Sequence, residues 1–212
     1  MKPGQKFRNA LKNNKPLIIP GTINAYSAKL AELANHNSIY LSGSGVAAAS
    51  YGLPDLGVTT LENVLIDAKR ITSATSLPLL VDIDTGWGDF DAISNTIIEM
   101  GNANVAAVHI EDQIFDKRCG HRPNKQLVSI DEMQDRLKAA LDAKIDDSFF
   151  IMARTDALAS EGIEKAIERC GKYLDVGADG IFFEAAVSIE EYKEFKNNFC
   201  LLYTSDAADD EL

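Results

Sequence analysis

Short apolar runs recur along the chain at residues 17–20, 38–41, 77–82, 106–110, 149–154 and 180–184, and amphipathic stretches of helical period lie between them at 25–35, 60–75, 92–101, 130–143, 162–176 and 189–198. Period-3.6 patterning marks helices, and short apolar runs bounded by polar residues mark strands. The last four helical stretches open close to Asp, Ser or Gly, residues that suit a helix start. The runs are continuously apolar instead of alternating, as parallel strands covered on both faces must be. This rhythm allows a doubly wound open sheet, or a TIM-type (β/α)8 barrel with about six of its eight β/α units present. The strand ends separate the two. Ser42, Asp82 with Asp84, Glu111, Arg154 and Glu184 each close a run or follow one immediately. A barrel gathers functional groups in such a ring, whereas an open sheet concentrates them at one switch point. The expected fold is therefore α/β, an incomplete (β/α)8 barrel.

With 46% hydrophobic residues among 212, the chain can bury one sizeable core. A formal charge of -11, not relieved by any Lys/Arg run, argues against nucleic acid and anionic membranes as partners. A small anion could bind only through a local group of cations or a metal. No signal core and no run of 18 apolar residues is present, which leads to the expectation of a soluble cytoplasmic protein. Cys119, Cys170 and Cys200 make an odd count without paired spacing, which fits a reducing compartment. From Cys200 onward the β/α rhythm gives way to a short acidic tail. That tail resembles the translation of a transposase-end adapter used in short-read DNA sequencing. Residues 1–199 are accordingly expected to form the partial barrel, with 200–212 a non-native tail; a genuine disordered acidic tail is the other reading.

Asp82 and Asp84 leave a buried strand one residue apart, and Glu111 ends the next run. Carboxylates without His or Cys neighbours make a hard oxygen site suited to Mg²⁺ that keeps several waters, one of which Glu111 could hold. Taken alone, an Asp-x-Asp pair is more often a solvated turn. The stretch from Lys117 to Lys125 concentrates four Lys/Arg, His121 and Cys119 in an otherwise acidic chain. Neighbouring cations attract carboxylates and activate a thiol, so Cys119 is a candidate acid, base or nucleophile; an exposed solubilising loop competes with that reading. Half a zinc site is excluded by the lack of a second Cys/His pair. Ser42, Gly43 and Ser44 open a small-residue turn whose backbone could cradle a carboxylate. Gly43-x-Gly45-x-x-Ala48 also imitates a dinucleotide fingerprint, although Asp82 lies nearly twice too far downstream for the ribose-binding acid. Arg154 suits bidentate carboxylate binding and Glu184 can accept a hydroxyl's hydrogen bond; a structural ion pair is the alternative for both.

The segments 40–45, 52–55, 81–86, 109–113, 117–125 and 152–156, in this order and spacing, resemble the isocitrate lyase / phosphoenolpyruvate mutase superfamily, and within it the methylisocitrate lyases. Lys-Arg-Cys-Gly-His followed by Arg-Pro-Asn-Lys is the most specific of these. The resemblance implies a Mg²⁺-dependent cleavage, with Mn²⁺ possible, of a small tricarboxylate, 2-methylisocitrate, to pyruvate and succinate in propionate catabolism. It further implies a homotetrameric parent protein. Asp82, Asp84 and Glu111 correspond to the metal site, and Ser42, Gly43 and Ser44 to the grip on the pyruvate-like end. Cys119, Gly120 and His121 correspond to a gating loop in which Cys119 is the proton donor. Arg154 and Glu184 correspond to substrate contacts, with Arg154 counted among the catalytic groups, and Tyr40 is nominated to take the hydroxyl proton. An isocitrate lyase, or a decarboxylase or phosphonopyruvate-type member, is the alternative inside the superfamily; a dinucleotide-binding domain is the alternative outside it.

Overall fold

The computed structural model describes residues 1–117, 119 and 124–199. Five parallel strands, β1 (Ile39–Leu41), β2 (Leu79–Asp82), β3 (Ala107–Glu111), β4 (Phe150–Thr155) and β5 (Gly180–Phe183), pair in sequence order. Helices α1 (Pro3–Asn13), α2 (Ala25–Leu33), α3 (Gly43–Tyr51), α4 (Leu61–Ala74), α5 (Phe90–Asn102), α6 (Ile130–Asp142), α7 (Leu158–Glu161), α8 (Ile163–Val176) and α9 (Ile189–Asn198) precede, connect and follow them. Strand order equal to chain order, with a helix in every crossover, is how a β/α barrel is wound.

The helices start where a side chain can satisfy their first N–H groups. Asn24, Thr60, Asp89, Ser129 and Ser188 cap α2, α4, α5, α6 and α9, with Asn24, Thr60 and Ser188 in reciprocal capping boxes.

Alternation along each strand divides the protein into two cores. Ile39, Leu41, Leu79, Val81, Val108, Ile110, Ile151, Ala153, Ile181 and Phe183 pack outward against the helices. Tyr40, Leu80, Ala107, Phe150, Met152 and Phe182 point the other way and meet Phe7 and Leu11 of α1. Register places Leu80 beside Ala107, Asp82 beside His109, Glu111 beside Arg154 and Arg154 beside Phe182. Since side chains repeat every second residue, Asp82, His109, Glu111 and Arg154 stand on the same inner face as that second core, toward the C-terminal strand ends.

Four sequence expectations change. The run 17–20 is not a strand: pairing there reduces to a bridge between Gly21 and Tyr40, with Tyr40 N–H donating to Pro20 O (3.0 Å) and Thr22 N–H to Tyr40 O (2.7 Å). Pro16 and Pro20 have no N–H to extend that ladder. The small-residue segment after β1 is the first turns of α3, capped by the Ser42 side chain and ended at Gly52, whose φ of 64° is left-handed. Helix α1 was not anticipated at all; it sets Phe7 into the inner core, and Gly4 packs so closely on Ser148 that a Cβ would lie 2.2 Å from its carbonyl oxygen. The short helix α7 was not anticipated either. No helix among the described residues is long and apolar enough to cross a membrane.

Candidate active site

At the C-terminal end of β1, Ser42 accepts a hydrogen bond from Gly45 N–H (3.4 Å) and shares one with Ser44 Oγ (2.9 Å). This brings the backbone of Gly43 against the acids of β2: its N–H donates to Asp82 Oδ2 at 3.3 Å. A Cβ at position 43 would meet Asp82 Oδ2 at 3.1 Å and Asp84 Oδ1 at 3.3 Å, so only glycine leaves the carboxylates undisturbed. A dinucleotide pyrophosphate at this turn would face two carboxylates, which removes the physical basis of the dinucleotide reading.

Asp84 lies beyond the strand in the left-handed region, φ 47°. Its N–H donates to Asp82 Oδ1 (2.9 Å), while its carbonyl takes Glu111 N–H (2.9 Å). Lys117 Nζ sits 2.6 Å from Asp84 Oδ1 and 2.8 Å from Asp55 Oδ1, so a buried ammonium joins three segments of the mouth. Beneath them, Tyr40 Oη is 2.9 Å from His109 Nε2, and His109 Nδ1 is 3.7 Å from Asp82 Oδ1.

Arg154 lies 3.4 Å from Glu111 Oε2 through Nε and 3.6 Å from Glu184 Oε2 through Nη2. It is gripped by Asp156, with Nε to Oδ2 at 3.0 Å and Nη2 to Oδ1 at 3.3 Å. Lys125 Nζ donates to the same Asp156 Oδ1 at 2.9 Å.

The environment spreads the titration of these groups. Burial pushes Asp82 up, but the charges on His109, Lys117 and Arg154 and the Asp84 N–H prevail and hold it at about 2. Burial and the neighbouring Asp82 raise Asp84 to about 6 against the pull of Lys117. Burial lifts Glu111 well above the usual carboxylate range and lowers His109 to about 4, so the imidazole is neutral near pH 7 and Lys117 and Arg154 carry the balancing charge.

A divalent cation fits this donor set only loosely bound. Among the described residues no three His, Cys, Asp or Glu side chains form a ready cage. Both Glu111 oxygens are nevertheless buried without a hydrogen bond, and Asp84 Oδ1 faces the Lys117 ammonium that a metal ion would have to displace. Carboxylate oxygens left in that condition suit Mg²⁺, which binds through one or two carboxylates and retains water.

Tyr40, Ser42, Gly43, Ser44, Asp82, Asp84, Glu111, Arg154 and Glu184 all stand on the inner face or at the C-terminal strand ends. Cys119 is half-buried in the loop after β3. Gly120 and His121, and the tail 200–212, lie outside the described residues. Sequence reasoning assigns no role to Asp55, His109 or Asp156, and reads Lys117 and Lys125 only as cations of a basic loop. Counting back by two from Glu111 reaches His109, and counting on by two from Arg154 reaches Asp156, so strand periodicity could have found both.

Parallel strands wound in β/α order, with carboxylates and buried cations gathered at their C-terminal ends, place the chain in the TIM-barrel class. The chain belongs to the phosphoenolpyruvate phosphomutase family, whose model matches residues 7–204. It is 61% identical over 193 residues to the 2-methylisocitrate lyase of Shewanella oneidensis, covering 91% of this chain and 66% of that protein. It thus spans slightly less than two thirds of that relative's length. The crystal structure of a 2,3-dimethylmalate lyase superposes with a TM-score of 0.88 at 34% identity, over 94% of this chain and 67% of that one. A phosphonopyruvate hydrolase complexed with oxalate and Mg²⁺ superposes with a TM-score of 0.82 at 30% identity, over 97% and 71%.

Proposed function

We propose that the protein carrying this sequence is a Mg²⁺-dependent carbon–carbon lyase that cleaves 2-methylisocitrate to pyruvate and succinate, with Mn²⁺ able to replace Mg²⁺. The reading places it in the cytoplasm, in propionate catabolism through the methylcitrate cycle, and as a homotetramer. The observation that supports it most is the approach of Gly43 to Asp82 on one side of the mouth, with Arg154 and Glu184 on the other. That arrangement offers an anionic substrate a backbone turn, a pair of metal-binding acids and a guanidinium at once.

Cleavage of the C2–C3 bond takes the hydroxyl proton, makes C2 a ketone and leaves the electron pair on C3. Asp82 and Asp84 would hold Mg²⁺, with Glu111 supporting through water. When bound, the ion supplies Lewis-acid stabilisation of the developing oxygen charge. Ser42, Gly43 and Ser44 grip the pyruvate-like end, while Arg154 and Glu184 bind carboxylate and hydroxyl. Tyr40 takes the hydroxyl proton as its own proton passes to His109 Nε2, 2.9 Å away. Cys119 protonates C3, with Gly120 and His121 on the same loop, and its thiol must still carry a proton when the carbanion appears.

The test is pyruvate release by the protein extended to its relatives' length, from 2-methylisocitrate and from isocitrate, with and without EDTA. Release that prefers 2-methylisocitrate, stops with EDTA and disappears in Asp84→Asn is expected. EDTA-insensitive release would remove the metal, and preference for isocitrate would make it an isocitrate lyase.

A further inference from the structure

Lysine is almost never fully buried unless paired. Lys125 is such a case: its side chain is 1% exposed, with Nζ 2.9 Å from Asp156 Oδ1, and Asp156 is itself completely buried. The same carboxylate holds the Nε and Nη2 of Arg154. Asp156 cannot drift, because its N–H donates to Asp112 Oδ1 (2.9 Å), and Asp112 Oδ2 is held by Thr155 Oγ1 (2.7 Å) and Tyr173 Oη (2.9 Å). One fixed anion is therefore shared by two cations.

The consequence concerns Arg154. Its guanidinium faces three acids, Asp156, Glu111 and Glu184. With no further cation, an arriving carboxylate would meet a guanidinium already over-neutralised. Lys125 donates to the same Asp156 Oδ1 that takes Arg154 Nη2, so it offsets part of that carboxylate's charge and leaves Arg154 more positive toward an arriving anion. Fixing both donors on the Asp156 edge also sets the plane of the guanidinium.

We propose that Lys125 is a positioning residue which, through Asp156, sets the orientation and effective charge of Arg154 and so sets affinity for the substrate carboxylate. This rests on Arg154 being a carboxylate contact in the proposed lyase. It adds that the affinity is tuned by a lysine that does not itself touch the substrate.

The experiment compares Lys125→Met, Lys125→Gln and Lys125→Arg in the full-length protein, measuring succinate binding by calorimetry, Mg²⁺ binding in parallel, and KM and kcat separately. Lys125→Met is expected to weaken succinate binding about tenfold and raise KM by a similar factor, leaving kcat within about twofold and Mg²⁺ affinity unchanged. Lys125→Arg should restore most of the binding. Lys125→Gln, whose amide can still donate to Asp156, reports the loss of charge if the methionine variant does not fold. Unchanged succinate binding in both neutral variants overturns the proposal, as does an arginine variant no better than methionine, or a fall in kcat at constant KM. Were the lyase reading wrong, the wild type would release no pyruvate while succinate binding still depended on Lys125. Were the positioning role wrong, the wild type would turn over and binding would ignore Lys125.

Discussion

The phenol of Tyr40 and the imidazole of His109 meet at 2.9 Å on the inner face of the sheet, with the far ring nitrogen of His109 3.7 Å from Asp82 Oδ1. Burial keeps that imidazole neutral, its pKa lowered to about 4. With its proton on Nδ1, toward the carboxylate, Nε2 is free to accept from the tyrosine hydroxyl. The pair thus links the floor of the mouth to the acids above it.

A double-mutant cycle reads that link. Tyr40→Phe and His109→Phe each remove one partner, and the double variant removes both. The singles should be destabilised by about 1–3 kcal/mol and the double by clearly less than their sum, giving a coupling of about 1 kcal/mol in urea unfolding. Strict additivity would mean that the contact contributes nothing.

Gly43→Ala tests the close approach of α3 to the acids. The added methyl, 3.1 Å from Asp82 Oδ2 and 3.3 Å from Asp84 Oδ1, forces both carboxylates aside by a few tenths of an ångström. Position 43 is not among those with positive φ, so the fold tolerates alanine. Melting should barely change while Mg²⁺ affinity falls about tenfold or more by calorimetry. Unaltered Mg²⁺ binding would place the ion elsewhere.

The outer core of this fold was legible because Val81, Val108, Ile151 and Phe183 sit in continuous apolar runs that only a two-sided parallel sheet requires. The ring of strand-end residues was legible for the same reason, each being where a run stops. Helix α1 was not, since Phe7, Ala10 and Leu11 form a narrow stripe within a polar segment whose burial depends on β4 and β5 far along the chain. Helix α3 hid behind Gly43 and Gly45, poor helix formers that a serine cap and the packing against Asp82 override. The ion pairs of Lys117 and Lys125 were not legible, because their partners, Asp55 and Asp156, lie 62 and 31 residues away. Sequence shows the face a side chain takes, but a buried ion pair is visible only when both ends are placed.

Helix α1 carries a stability prediction of its own. Phe7 is 1% exposed and meets Phe150 edge to face at 5.2 Å between ring centroids. Phe7→Ala should cost about 3–5 kcal/mol in urea unfolding. A cost below about 1 kcal/mol would show that α1 merely rests on the barrel.

The described thiols should separate by reactivity. Cys170 is wholly buried on α8, and burial pushes its thiol far above the ordinary range. Cys119 is half-buried in the loop after β3. Iodoacetamide on the native protein should therefore label Cys119 first and reach Cys170 only when denaturant is added, as peptide mass mapping would show. Equal labelling without denaturant would mean that α8 opens.

Asp156 gives the acid limb of stability a specific origin. Burial alone would raise its pKa, but Arg154 and Lys125 outweigh burial and hold it below the ordinary 3.8. A carboxylate that takes its proton less readily when folded adds stability above 3.8, where the unfolded chain has ionised, and loses it as pH falls through the lower folded value. Other buried acids shift the opposite way, so the contribution must be read as a difference between proteins. Near neutral pH, Asp156→Asn should be less stable than the wild type by about 3–5 kcal/mol, because Lys125 and Arg154 lose their shared anion. That gap should narrow steadily once urea melts are taken below pH 3.8, as the wild-type carboxyl becomes neutral too. A gap that stays constant with pH would mean the asparagine variant fails through packing, and that the charge on Asp156 does not hold the two cations.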